Sequence, residues 1–72
     1  MENLHNEPTL ENPIETWKSP LIGWEWRVLS KDSDDYWYCA VQSPMTHGTW
    51  DFGGVDPIDI QQAGAYRVGE VA

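Results

Sequence analysis

Cysteine and positive charge are scarce in this sequence, and long apolar runs are missing. Cys39 is the only cysteine, so no disulfide within the chain can hold a fold. A lone thiol suits a reducing compartment or service as a small buried apolar side chain. Four Lys/Arg stand against twelve carboxylates, a formal charge of −8. Direct binding to a nucleic-acid backbone or an anionic membrane is disfavoured, because both need positive charge. The apolar runs are a few residues long, far short of the roughly 20 that span a bilayer. The opening MENLHNEPTLENP has no basic n-region and no apolar h-region, as a signal peptide would. No N-x-[ST] acceptor occurs. A soluble, cytoplasmic protein is the expectation.

Aromatic residues are plentiful. Among 72 residues are five tryptophans and three tyrosines. The segment from Gly23 to Cys39, GWEWRVLSKDSDDYWYC, holds three of those tryptophans and two of those tyrosines around an acidic turn. A domain this small buries a modest share of its surface. Large rings can take the place of disulfides, since each buries roughly 150–250 Å².

Composition divides the chain near Trp17. Residues 1–16 carry Glu2, Glu7, Glu11 and Glu15, two prolines and no Lys or Arg, the composition of a flexible acidic arm; residues 17–72 then form a single small β domain. Within the arm, Asn12-Pro13-Ile14-Glu15 places a capping residue, Pro and an acid as a helix start does. A helical turn is expected from Pro13 to Lys18, ended by Ser19-Pro20.

From Gly23 the apolar period is two, which predicts strands near 23–30, 35–42 and 48–53. With Lys31 to Asp34 as a four-residue loop, Val28 faces Trp37, Trp26 faces Cys39 and Trp24 faces Val41. Pairing Gln42 with Thr49 then sets Val41 against Trp50 and Cys39 against Phe52. The expected core layer is Trp24, Trp26, Val28, Trp37, Cys39, Val41, Trp50 and Phe52. The other face carries Glu25, Arg27, Leu29, Tyr36, Tyr38, Ala40, Thr49 and Asp51, with Arg27 opposite Tyr38 and Ala40 opposite Asp51. Further on, Asp56-Pro57-Ile58-Asp59 repeats the capping pattern, and Gly64 is a natural stop. A helical turn is expected over 57–63, although the alternation of Ile58 and Ile60 also suits a strand. A last strand over 65–71 follows. The fold class is mainly β: a small antiparallel meander, closed as an SH3-like barrel or left as an open sheet, with one or two short helical turns.

Signs of chemistry are weak. Asp32-Ser33-Asp34-Asp35 begins like a calcium loop, but its fifth position is Tyr36 and its twelfth Ser43. Cys39, His5 and His47 lack the spacing of a zinc site. Ser43, His47 and Asp51 lie along one hairpin with nothing to assemble them as a triad. No phosphate-binding glycine loop is present, and a chain this short has little room for a deep pocket. Neither a cofactor nor a metal is expected, and the protein is read as not an enzyme.

What remains is binding. Asp32, Asp34 and Asp35 of the turn, with Tyr36, Tyr38, Arg27, Glu25 and Asp51 on the half-exposed face, form the candidate contact surface, since Tyr and Arg are enriched at interfaces. The expected partner is a larger protein with a basic surface. If that surface normally holds nucleic acid, carboxylates take the place of phosphates and the protein is an inhibitor. In size and charge, though in no motif, it resembles small phage-encoded inhibitors such as anti-CRISPR proteins and DNA mimics. The alternative is an accessory or structural subunit that docks on a larger enzyme through its aromatic face.

Overall fold

The computed structural model describes residues 7–69. Five antiparallel strands form one open sheet: β1 (Glu15–Ser19), β2 (Trp24–Ser33), β3 (Tyr36–Gln42), β4 (Asp51–Val55) and β5 (Tyr66–Arg67). The sheet order is β4-β3-β2-β1-β5. A 3₁₀ turn, Pro44–Thr46, sits between β3 and β4, and one short helix, α1 (Pro57–Gln62), connects β4 to β5. The fold class is therefore mainly β, and the sheet is open rather than closed into a barrel.

The first strand corrects the sequence reading. Residues 15–19 pair with β2, Trp17 opposite Trp26 and Ser19 opposite Trp24, where a helical turn was expected. The capping pattern at Asn12–Glu15 is real but local. The free edge of β2 offers a continuous ladder, to which the Ile14 amide already donates at the Val28 carbonyl (2.8 Å). Thr16 and Trp17, a β-branched and an aromatic residue, suit that ladder.

The β2–β3 register is also corrected. Trp26 faces Val41 and Val28 faces Cys39, two residues from the expected pairing. The loop is only Asp34-Asp35, and β2 bulges between Val28 and Ser30 and again between Lys31 and Ser33. Neither Asp34 nor Asp35 takes a positive φ, so the loop is not the type I′ turn whose twist matches two flanking strands. The bulges absorb the difference. A slip of two keeps every side chain on its face, so Trp24, Trp26, Val28, Trp37, Cys39 and Val41 share one side as expected.

On β4 the slip is one residue, and the faces exchange. Phe52 stands opposite Ala40 and Asp51 opposite Val41. The capping box of Ser43 and Thr46 and the left-handed His47 (φ 55°) lengthen this connection beyond the expected turn. Phe52 (53% exposed) leaves the predicted core for the outer face, and Asp51 moves the other way. Trp50 moves too: its ring lies 4.5 Å from the Arg27 guanidinium carbon, on the Arg27 side. Arg27 faces Ala40 rather than Tyr38. Arg27 and Trp50 meet across β3 and leave Ala40, expected to be exposed, fully buried.

The core is the inner face of the sheet with α1 laid over it. Trp26, Val28, Cys39 and Ile60 are buried. Asp56 caps α1 through the Ile58 amide (3.0 Å), and Pro57 follows it. Helix, not strand, is thus correct for residues 57–62. Ser19, buried in β1, donates its hydroxyl to the Ala63 carbonyl at 2.6 Å. That bond fastens the end of α1 to the sheet. The last strand is shorter than expected. Tyr66 and Arg67 pair with Lys18 and Trp17, Val68 and Gly69 lie in a turn, and residues 70–71 of the expected strand fall outside the described residues. No helix among the described residues is long and apolar enough to cross a membrane.

Candidate functional site

The tight β2–β3 turn gathers negative charge at one end of the sheet. Asp32, Asp34 and Asp35 are exposed. The Ser30 hydroxyl donates to Asp32 at 2.7 Å, and the Asp35 amide donates to the Ser33 hydroxyl at 3.3 Å. Because β4 ends beside this turn, the start of α1 arrives at the same place. Asp34, Asp35 and Asp56 line one shallow concavity of about 290 Å³ with Pro57, Ile58 and Gln61. Asp56 is absent from the sequence-derived surface. Its capping role was legible, but its position beside the turn depends on where β4 ends. Among the described residues no group of three or more His, Cys, Asp or Glu is placed to hold a metal ion.

The tyrosines adjoin this acidic end. Tyr36 and Tyr38 lie on the outer face, 46% and 38% exposed, and Phe52 joins them with its ring centroid 6.5 Å from that of Tyr38. The sequence pattern places Phe52 in the core, and only the one-residue shift of β4 brings it to this face. Tyr36 packs on Gly54, which has no side chain to obstruct it.

Arg27 and Glu25 sit on the same face but are engaged with the protein itself. Arg27 donates to Glu25 at 2.8 Å and to the Leu10 carbonyl at 2.8 Å, besides its stacking on Trp50. Asp51 is exposed, but on the inner side of the β4 edge.

On the inner face, Glu15 accepts from the Trp17 indole (3.0 Å) and the Lys31 ammonium (2.5 Å), with Arg67 at 3.9 Å. Lys31 also lies 4.3 Å from the Trp37 ring centroid. Burial alone raises the Glu15 carboxyl. The hydrogen bonds from Lys31 and Trp17 and the charges of Lys31 and Arg67 outweigh it and hold the group below its ordinary value. Three of the four basic side chains, Arg27, Lys31 and Arg67, thus lie against carboxylates of the fold. Cys39 is fully buried; burial and then the Glu15 charge push its thiol up to about 11.

No family model, curated protein or solved structure matches this chain. The geometry therefore stands alone.

Also on the inner face, an open apolar cleft of about 390 Å³ runs between α1 and the sheet, lined by Ile22, Trp24, Trp26, Val41, Gly54, Val55, Asp59 and Ala63.

Proposed function

We propose that the protein is a non-enzymatic, acidic protein-binding module that occupies a basic surface of a larger protein, one that normally holds nucleic acid, and so inhibits it. The observation that carries this reading is the convergence of Asp34, Asp35 and Asp56 on one concavity, with Asp32 on the same turn. The cations that could offset this charge, Lys31 and Arg67, are engaged at Glu15. Exposed charge of one sign steers encounter with a basic surface. Tyr36, Tyr38 and Phe52 beside it supply apolar contact once the encounter is made. Carboxylates arrayed on a small rigid body compete with phosphates for Lys and Arg, which is how an anti-CRISPR-like nucleic-acid mimic would act.

A second reading is favoured by one observation. Phe52 and Tyr38 form an aromatic patch exposed at the sheet edge, and such a patch suits an accessory subunit docked on a larger enzyme.

Affinity capture from the native host, with the captured partner then titrated at increasing salt, tests both. An electrostatic competitor loses affinity steeply with salt and is displaced by nucleic acid. Salt-independent binding that nucleic acid does not disturb rejects the inhibitor reading and leaves the accessory subunit.

A further inference from the structure

We propose that the cleft beneath α1 is a binding site for a small organic cation with an aromatic or branched apolar body. The body would lie against Trp24, with the buried Trp26 behind it, and the ammonium toward Asp59. The cleft faces away from the tyrosine surface, so this site is independent of the function proposed above.

Size is the first argument. A volume of about 390 Å³ falls within the range of small-molecule sites, roughly 300–1,000 Å³. Wall chemistry is the second. Trp24 and Trp26 lie side by side with centroids 5.6 Å apart and planes tilted by 35°, and Ile22, Val41, Val55 and Ala63 complete an apolar lining. Such a surface favours a flat or branched hydrocarbon.

Charge is the third and decides the ligand class. Asp59 is the one charged side chain in the wall, and none of the salt bridges among the described residues engages it. Asp59 is exposed at the rim of the cleft, and an anion approaching there would be repelled by its carboxylate. A neutral ligand gains nothing from the carboxylate, whereas a cation is attracted to it. The cation's charge is attracted as well to the negative face of the half-buried Trp24 indole.

The probe is 2-phenylethylammonium, compared with the near-isosteric neutral 2-phenylethanol, titrated into the full chain at constant ionic strength. The indole N–H resonances of Trp24 and Trp26 are followed by NMR. Saturable shifts of both are expected with the amine, at an affinity about tenfold above that of the alcohol. Asp59→Asn should bring the amine to the level of the alcohol and leave the alcohol unchanged. Trp24→Ala should weaken both ligands; should that variant fail to fold, Asp59→Asn, a change at an exposed position, still decides. The proposal is overturned if the shifts do not saturate, if the alcohol binds as well as the amine, or if Asp59→Asn leaves the amine's affinity unchanged. Amine shifts centred on Asp34 and Asp35 would mean nonspecific attraction to the acidic end and would overturn it equally.

Discussion

The ring of Tyr36 lies so close over Gly54 that a Cβ added there would fall within it. The two residues are on neighbouring strands, and the glycine is what allows the aromatic ring to pack on bare backbone. Gly54→Ala should therefore displace the ring and cost about 1 kcal/mol. In a Tyr36→Ala background the same change should be neutral or stabilising, because Ala restricts the unfolded chain more than Gly does. Urea unfolding of the four proteins of this cycle measures the coupling; additive effects would separate the two residues.

Trp26 and Phe52 were expected in the same core layer, but only Trp26 is buried (3% against 53% exposed). Trp26→Ala should cost roughly 3–5 kcal/mol and leave so small a domain largely unfolded. Phe52→Ala should cost less than about 1 kcal/mol. Equal shifts of the two urea midpoints would restore Phe52 to the core.

The Glu15 network predicts a pH dependence on the acid side. The folded state holds this carboxyl below its ordinary value. Its stabilisation is therefore complete above that ordinary value and is lost as pH falls through the lowered one. Glu15→Gln should remove about 1–2 kcal/mol at neutral pH and flatten the acid limb of the stability profile. An acid limb identical to that of the wild type would place the titration elsewhere.

Cys39 makes the opposite prediction at high pH. Its thiol is raised from 9.0 to about 11 in the folded protein, so the stability it contributes is complete below the unfolded value and is lost as pH rises toward the folded one. A thiol reagent at neutral pH should label it slowly in the native state and rapidly in denaturant. Immediate native labelling would contradict its burial.

For the proposed function, Asp34→Asn, Asp35→Asn and Asp56→Asn combined should slow association with the captured partner and reduce its salt dependence. Tyr38→Ala with Phe52→Ala should instead speed dissociation, by about 2 kcal/mol if either ring is an anchor. Circular dichroism checks that both variants fold. An unchanged association rate for the triple variant at every salt concentration would leave the charge a solubility feature only.

Much of the sheet was legible because a strand's side chains alternate. The period of two from Trp24 to Val41 put the right residues of β2 and β3 on one side, and an error of two in pairing left that assignment intact. Bulges carry no sequence signal of comparable strength, so the pairing itself was not readable. At β4 the error was one, and Trp50, Phe52 and Asp51 all changed face. β1 was misread because capping residues at Asn12–Glu15 are local, whereas the exposed edge of β2 that captured the segment is not. The acidic turn was plain in the sequence. Its meeting with Asp56, the engagement of Arg27 by Glu25, Leu10 and Trp50, and the cleft under α1 all arise from contacts between distant segments, which spacing does not encode.

The strand order also bears on how the chain reaches this state. Strands β1 to β4 each pair with the next in sequence, so each ladder forms from a hairpin with a small loop-closure cost. Only β5 pairs with a strand far away in sequence, Tyr66 and Arg67 with Lys18 and Trp17, and the Ser19–Ala63 bond closes the same long loop. The meander should accordingly assemble early, with α1 and β5 locking down after the rate-limiting step. Ser19→Ala should then speed unfolding and leave the refolding rate nearly unchanged in stopped-flow measurements. A matching loss in the refolding rate would put the closure of that long loop inside the folding nucleus. By this route the latch of α1 and β5 governs how long the folded protein lasts, while the hairpins govern how fast it forms.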